Sequence, residues 1–175
     1  KGFKYDPETM LSRSFFDTHT EEFFDFYRTK MIAPNDGPSA VHYKLAELER
    51  DGKLSAIITQ NIDGLHQMAG SKKVYELHGS VMRNYCITCG RFYDLDFVRS
   101  SDGIPRCPED GGIVKPDVVL YEEALDDNVL GGALQEIQQA DCLIIAGTSL
   151  AVYPAAGLIY YFKGKHLVVI NRDAT

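Results

Sequence analysis

Three apolar runs in this chain are built alike. Ser55 to Thr59 (SAIIT), Asp141 to Ala146 (DCLIIA) and His166 to Ile170 (HLVVI) are unalternated and about as long as a strand. Each leads into a polar cluster: Gln60-Asn61-Ile62-Asp63-Gly64, Gly147-Thr148-Ser149 and Asn171-Arg172-Asp173. A strand with one wet face alternates apolar and polar residues, whereas an unbroken run suits a strand buried on both faces, the habit of parallel sheets. Helical stretches separate the runs, among them Asp126 to Gln139 and Ala155 to Phe162, the second with Pro154 at a first-turn position. Strand, polar tip and helix in repetition predict a doubly wound α/β fold. In an open parallel sheet, ligands bind beyond the carboxyl ends of the strands, where all three polar tips fall. Gly147-Thr148-Ser149 lets backbone approach a ribose or phosphate closely, and Asn171 has groups for a sugar or base edge. Each tip alone reads equally well as a turn; the three together point to a nucleotide-sized ligand.

The first third of the chain is helical. Thr18 with Glu21 has the pattern of a capping box. Phe23, Phe24, Phe26, Tyr27 and Met31 follow at helical spacing, an aromatic stripe that reads as core. A second helix is expected from about Ser39, with Val41, Leu45 and Leu48 on one face and Gly52 as its stop. Between Val81 and Lys115 the pattern breaks into Gly, Pro, Cys and charged residues, which suggests an inserted module held by something other than an apolar core. Cys86-Ile87-Thr88-Cys89 is followed, after 17 intervening residues, by Cys107-Pro108-Glu109-Asp110. Two such knuckles bring four ligands around a tetrahedral Zn²⁺. The fourth thiolate is expected at position 110, where an aspartate stands. Either three thiolates and one carboxylate hold zinc, with less affinity than four thiolates, or the knuckle is degenerate and binds no metal. Cys142, inside an apolar run, reads as a small core residue.

The charge balance narrows the partners. With 18 Lys and Arg against 25 Asp and Glu the formal charge is −7, a poor match to nucleic acid. No apolar run is long enough to cross a bilayer, and the first residues lack the build of a signal peptide. Four cysteines, two of them with two residues between, favour metal over disulfides and a reduced, cytoplasmic setting. Directly before the cysteine module lies Tyr75-Glu76-Leu77-His78-Gly79-Ser80. Histidine titrates near neutrality and takes a proton from a sugar hydroxyl, and the following glycine permits a tight turn. A His-Gly pair alone fits a structural histidine equally well. His42 and His66 fall within helical patterns, His19 and His166 at element ends; all four read as structural.

Thr59-Gln60-Asn61-Ile62-Asp63-Gly64-Leu65-His66, then Glu76-Leu77-His78-Gly79-Ser80, then the knuckles, then Gly147-Thr148-Ser149-Leu150 and Val152-Tyr153-Pro154-Ala155 form an ordered set of motifs. In this order, and over nearly the whole chain from about Tyr5, they resemble the bacterial sirtuins. The resemblance implies a Rossmann-like parallel sheet over residues 34–80 and 118–175. It implies a smaller zinc-ribbon plus helical domain over residues 1–33 and 81–117, with NAD and an acyl-lysine peptide meeting between the two. It implies NAD-dependent removal of acetyl or other acyl groups from protein lysines, NAD being consumed. The acyl oxygen attacks the anomeric carbon of the nicotinamide ribose and nicotinamide leaves. His78 then deprotonates a ribose hydroxyl, giving free lysine and O-acyl-ADP-ribose. By the same resemblance Asn61 and Asp63 hold the nicotinamide ribose and carboxamide, with Gln60 and Ile62 beside them. Gly147, Thr148, Ser149, Asn171, Arg172 and Asp173 contact the adenosine half. Cys86, Cys89, Cys107 and Asp110 take the places of the zinc ligands. Val118, Val119, Leu120 and Tyr121, with Leu150 to Tyr153 including Val152, clasp the peptide as an added strand.

The chain departs from the family pattern at four places. It begins downstream of the family's Gly-Ala-Gly loop for the pyrophosphate, so weak NAD binding is expected of it, and it stops before the family's last strand and helix. Asp110 replaces a cysteine. Glu122 stands where many relatives have glycine. An NAD or ADP-ribose sensor without turnover and a zinc-ribbon interaction module are the other readings; the first leaves His78 without a task and the second sits badly with the acidic charge.

Overall fold

A computed structural model describes residues 4–32, 37–148 and 155–172. Short helices α1 (Pro7–Met10), α2 (Arg13–Thr18) and α3 (Thr20–Phe26) open the chain, and α3 runs on as a π-helical turn over Tyr27–Met31. The expected capping box at Thr18 is absent. The Thr18 hydroxyl donates back to the Ser14 carbonyl at 2.7 Å, and α3 starts from His19 without a side-chain cap. A threonine that can bond its own preceding turn ends one helix instead of starting the next. The aromatic stripe is core: Phe23, Phe24 and Tyr27 are fully buried and Phe26 nearly so.

Helix α4 (Ala40–Arg50) begins where expected. The Ser39 N–H donates to His42 Nδ1 at 3.1 Å, and Gly52, at φ 69°, closes the helix in the left-handed conformation. Its buried residue is Ala46, however, and Val41 is exposed. Strand β1 (Ile57–Thr59) pairs in parallel with β2 (Val74–Glu76), and α5 (Leu65–Met68) lies between them. Strand β3 (Gly79–Cys86) is the centre of an antiparallel sheet, flanked by β4 (Phe92–Tyr93) and β5 (Val114–Val118), with α6 (Leu95–Ser100) in the connection. Helix α7 (Asp127–Gln139) is capped by Asp126 and precedes β6 (Cys142–Ala146), a 3₁₀ helix (Ala155–Tyr161) and β7 (His166–Ile170). Strands β6 and β7 pair in parallel along their whole length.

Two apolar clusters hold these elements. One joins the phenylalanines of α2 and α3 to Val81, Cys86, Val98, Cys107, Val114 and Val118. This corrects the expectation that the segment from Val81 to Lys115 does without a core. Its apolar residues are scattered in sequence, but alternation along β3 and β5 turns Val81, Val114 and Val118 toward the aromatic helices. The other cluster packs Ala133 and Ile137 of α7 against Leu77 and Leu158, with Tyr75 and Leu143 at its margin. Strand β7 is exposed along its length among the described residues, although its run reads as buried, because this second cluster covers only part of the β6–β7 pair. Cys142 is exposed too, at the first position of β6 rather than inside it, so it is not the core residue expected.

Candidate functional site

The carboxyl end of β1 is where the site is built. Beyond Thr59 the β1–β2 ladder continues, with Leu77 N donating to Thr59 O at 3.0 Å and Val81 N to Ile62 O at 2.9 Å. These bonds carry the chain past His78, whose ring Nδ1 lies 3.0 Å from the Gln60 carbonyl oxygen. A carbonyl only accepts, so Nδ1 is the ring nitrogen that donates here, which orients the imidazole and leaves Nε2 as the atom a general base would use. The His78 carbonyl in turn accepts from Val119 N at 2.9 Å. Gly79 has φ 75°, and a Cβ there would run into the Asp117 carbonyl. Only glycine lets β3 start so close to β5, which explains the His-Gly order.

The rest of the β1 tip is held by local bonds. Asn61 N donates to the Thr59 hydroxyl at 3.0 Å, leaving the exposed Asn61 side chain at the tip. Asp63 Oδ1 accepts from Leu65 N at 3.0 Å at the start of α5. Gly64, at φ 73°, passes against the Met82 side chain. His66 follows on α5, with its ring 4.7 Å from that of His42; burial first and the neighbouring His42 second hold its pKa below the ordinary value.

Two more tips join this one. Gln60 Nε2 donates to the Thr148 hydroxyl at 3.3 Å, and Asn171 Nδ2 donates to the Thr148 carbonyl at 3.1 Å. Gly147 is in the left-handed conformation at φ 65°, and Arg172 N bonds the Asn171 side chain. The ends of β1, β6 and β7 therefore meet through Gln60, Thr148 and Asn171, as a ligand site beyond the strand ends requires. Ser149, Val152 and Asp173 lie outside the described residues, as do Leu150, Tyr153 and Pro154.

The metal ligand set comes together. Cys86, Cys89, Cys107 and Asp110 place their ligand atoms within 4.8 Å of one another. Cys89 Sγ and Cys107 Sγ are 3.8 Å apart, the ~3.8 Å edge of a tetrahedron with ~2.3 Å Zn–S bonds. Asp110 Oδ1 is 3.3 Å from Cys86 Sγ. The Gly112 N–H, then the Cys89 thiol, hold the Asp110 carboxyl down to about 2, so it is anionic and ready to bind a cation. The residues present fit Zn²⁺. Sequence reading did not single out Tyr93, whose hydroxyl lies 3.0 Å from Cys107 Sγ, or the Thr88 N–H, which donates to Cys86 Sγ at 3.4 Å. Such outer partners orient thiolate ligands.

The segment from Val118 to Tyr121 lies beside the histidine. Val118 pairs with Gly79 of β3, and Tyr121 is bonded to the helical end of the chain, its N–H to the Leu11 carbonyl and its carbonyl to Arg13 N, both at 3.0 Å. Glu123 accepts from Leu120 N at 2.8 Å and pairs with Lys115 and Arg13. Sequence reading missed this carboxylate network, which no local spacing signals. Among the described residues Glu122 is the sole non-glycine with positive φ, at 76°.

Comparison with known proteins agrees with this geometry. A family model described as the Sir2 family matches residues 2–154. The chain is 62% identical over 175 residues to an NAD-dependent protein deacetylase of Clostridium acetobutylicum, covering 99% of this chain and 71% of that protein. It is 63% identical over 172 residues to one of Clostridium perfringens, covering 98% and 70%. Among solved structures it superimposes with a TM-score of 0.90 on a Sir2 bound to acetylated peptide, at 38% identity over 99% of this chain and 75% of the other. A Sir2 in complex with the inhibitor EX-527, 2'-O-acetyl-ADP-ribose and deacetylated p53 peptide gives 0.89 at 37% identity, covering 98% and 76%.

Proposed function

The chain belongs to the Sir2 family, and from that premise we propose that it is an NAD-dependent protein deacetylase in which His78 is the general base. It removes acetyl groups from lysines of proteins, consuming NAD and a water molecule and yielding free lysine, nicotinamide and acetyl-ADP-ribose. The observation that carries the role of His78 is the bond from its Nδ1 to the Gln60 carbonyl. It fixes the imidazole through Nδ1 beside the tip that bears Asn61 and Asp63 and leaves Nε2 to act as the base. Nε2 takes the proton from a ribose hydroxyl as that oxygen attacks the acyl carbon. Asn61 and Asp63 hold the nicotinamide end, Gln60 and Ile62 contribute beside them, and Gly147, Thr148, Asn171 and Arg172 receive the adenosine half. We extend the adenosine contacts to Ser149 and Asp173, and the peptide contacts to Val152. Val118 to Tyr121 offer an edge to the acetylated peptide, which lies across the entrance to the histidine.

Cys86, Cys89, Cys107 and Asp110 hold Zn²⁺, which ties the two knuckles together and takes no part in proton transfer. We divide the chain into an NAD-binding unit, residues 34–80 and 118–175, and a smaller unit, residues 1–33 and 81–117; each holds one apolar cluster, and Val118 and Leu120 join the smaller unit's cluster across the boundary. No helix among the described residues is long and apolar enough to cross a membrane. We assign the protein to the cytoplasm, where its thiols stay reduced for metal.

Nicotinamide release from NAD in the presence of an acetylated peptide tests the reading. The wild-type protein releases nicotinamide in step with deacetylation. His78→Ala lowers deacetylation by about 10²–10⁴-fold with an unchanged melting temperature. Turnover within a few-fold of wild type removes His78 from this role, and NAD binding without any release makes the protein a sensor.

A further inference from the structure

Helix α2 is short, and its first three N–H groups have no partner within the helix. Each is satisfied from outside or from the cap. Arg13 N donates to the Tyr121 carbonyl at 3.0 Å, Ser14 N to Glu122 Oε2 at 2.9 Å, and Phe15 N to the Ser12 hydroxyl at 3.1 Å. The Ser14 hydroxyl gives Glu122 a second bond, to Oε1 at 2.9 Å. One carboxylate thus grips a single helix-start residue with both oxygens, in the partial positive field of that end. Glu122 does this from the left-handed region at φ 76°, where a side chain is disfavoured and glycine is not. A residue kept in that conformation has to be held there by its surroundings, and the bonds to Ser14 do so.

The grip falls at the end of the segment assigned above to the peptide. That segment is tied to β3 at one end, through Val118 and Val119, and to α2 at the other, through Tyr121 and Glu122. We propose that Glu122 is a positioning residue for substrate: by capping α2 it sets where the segment from Val118 to Tyr121 leaves the sheet, and hence the edge offered to the acetylated peptide. The inference rests on the reading of that segment as the peptide edge. Glu122 acts through the backbone and touches neither NAD nor the transferred group, so its loss shows in peptide binding and spares the chemical step.

Steady-state kinetics of the whole enzyme with NAD and an acetylated peptide test this. Glu122→Ala raises the peptide KM about tenfold, the scale of lost bonds to a charged group, while kcat and the KM for NAD stay within about twofold. Glu122→Gly raises it similarly, because glycine accepts the backbone conformation without strain but has no tether. Glu122→Gln, which keeps an acceptor for the Ser14 N–H, restores most of the affinity. Should Glu122→Ala fail to fold, the glycine variant decides. A peptide KM within twofold of wild type in that variant overturns the proposal, and so does an equal rise in the KM for NAD, which marks general loosening. Val119→Asp, within the segment itself, separates the two levels. If it too leaves the peptide KM unchanged, the segment is not the peptide edge, and the underlying reading has failed.

Discussion

Asp63 illustrates how one side chain serves both architecture and ligand. Its Oδ1 accepts the Leu65 N–H at the start of α5, and it stands at the tip where NAD is expected. The two tasks separate by substitution. Asparagine offers the Leu65 N–H the same side-chain oxygen in a local turn, so Asp63→Asn leaves the melting temperature nearly unchanged. It removes the charge proposed to hold the nicotinamide end, and on that reading NAD affinity falls about tenfold or more, the scale of a bond to a charged group. Melts and NAD titration on the same sample check this; unchanged affinity with a collapsed melt makes Asp63 structural. Glu122 is the opposite case at the same scale. It stands where many relatives have glycine, and it adopts the left-handed conformation, but the carboxylate that sustains it reaches Ser14, over a hundred residues away along the chain.

At the scale of elements, the zinc module draws its order from two sources. The knuckles around Cys86–Cys89 and Cys107–Asp110 bring the four ligand atoms together and, on the proposed reading, are tied by the metal. Strands β3 and β5 and helix α6 share the aromatic core of α2 and α3 through Val81, Val98, Val114 and Val118. Chelation therefore exposes amides in the knuckle loops to hydrogen exchange while those of β3 and β5 stay protected. Protein purified without chelator carries about one zinc per chain, and Asp110→Cys slows its removal, since thiolate is the softer ligand. Well under one zinc in the native protein, rising to one in the cysteine variant, identifies a degenerate knuckle. Exchange that spreads through β3 and β5 shows that metal, not the aromatic core, holds the module.

For the whole molecule, the site exists only because distant strands end together. Gln60, Thr148 and Asn171 come from three strands, and Thr148 joins the other two, by its hydroxyl to Gln60 and its carbonyl to Asn171. Thr148→Val keeps the shape and the backbone acceptor and removes the hydroxyl that links to Gln60. The loss of one neutral hydrogen bond, about 0.5–1.5 kcal/mol, weakens NAD binding about three- to tenfold. The rate at saturating NAD and the melting temperature change little, because His78 is oriented by the Gln60 backbone and not by its side chain. Calorimetric titration beside single-turnover rates measures both. A drop in rate with unchanged affinity assigns Thr148 to the chemistry instead.

Much of the site was legible in the residues themselves. Unalternated runs place β1, β6 and β7, the Cys spacing names the ligand set with Asp110 in it, and the ordered motifs point to His78, because these signals are local: a strand's apolar run, a turn's glycine and a ligand pair three positions apart are written in neighbouring positions. Tertiary structure alone decided what depends on approach between remote segments. It set the orientation of the His78 ring through the Gln60 carbonyl, and it supplied a core to a module that looks coreless by gathering scattered valines onto the phenylalanines. It shifted the start of α3 past Thr18, left β7 exposed, and put the Glu122 carboxylate on α2. In each case the partner lies across space or the choice lies between competing bonds, and no period or spacing along the chain records which partner a backbone group will find.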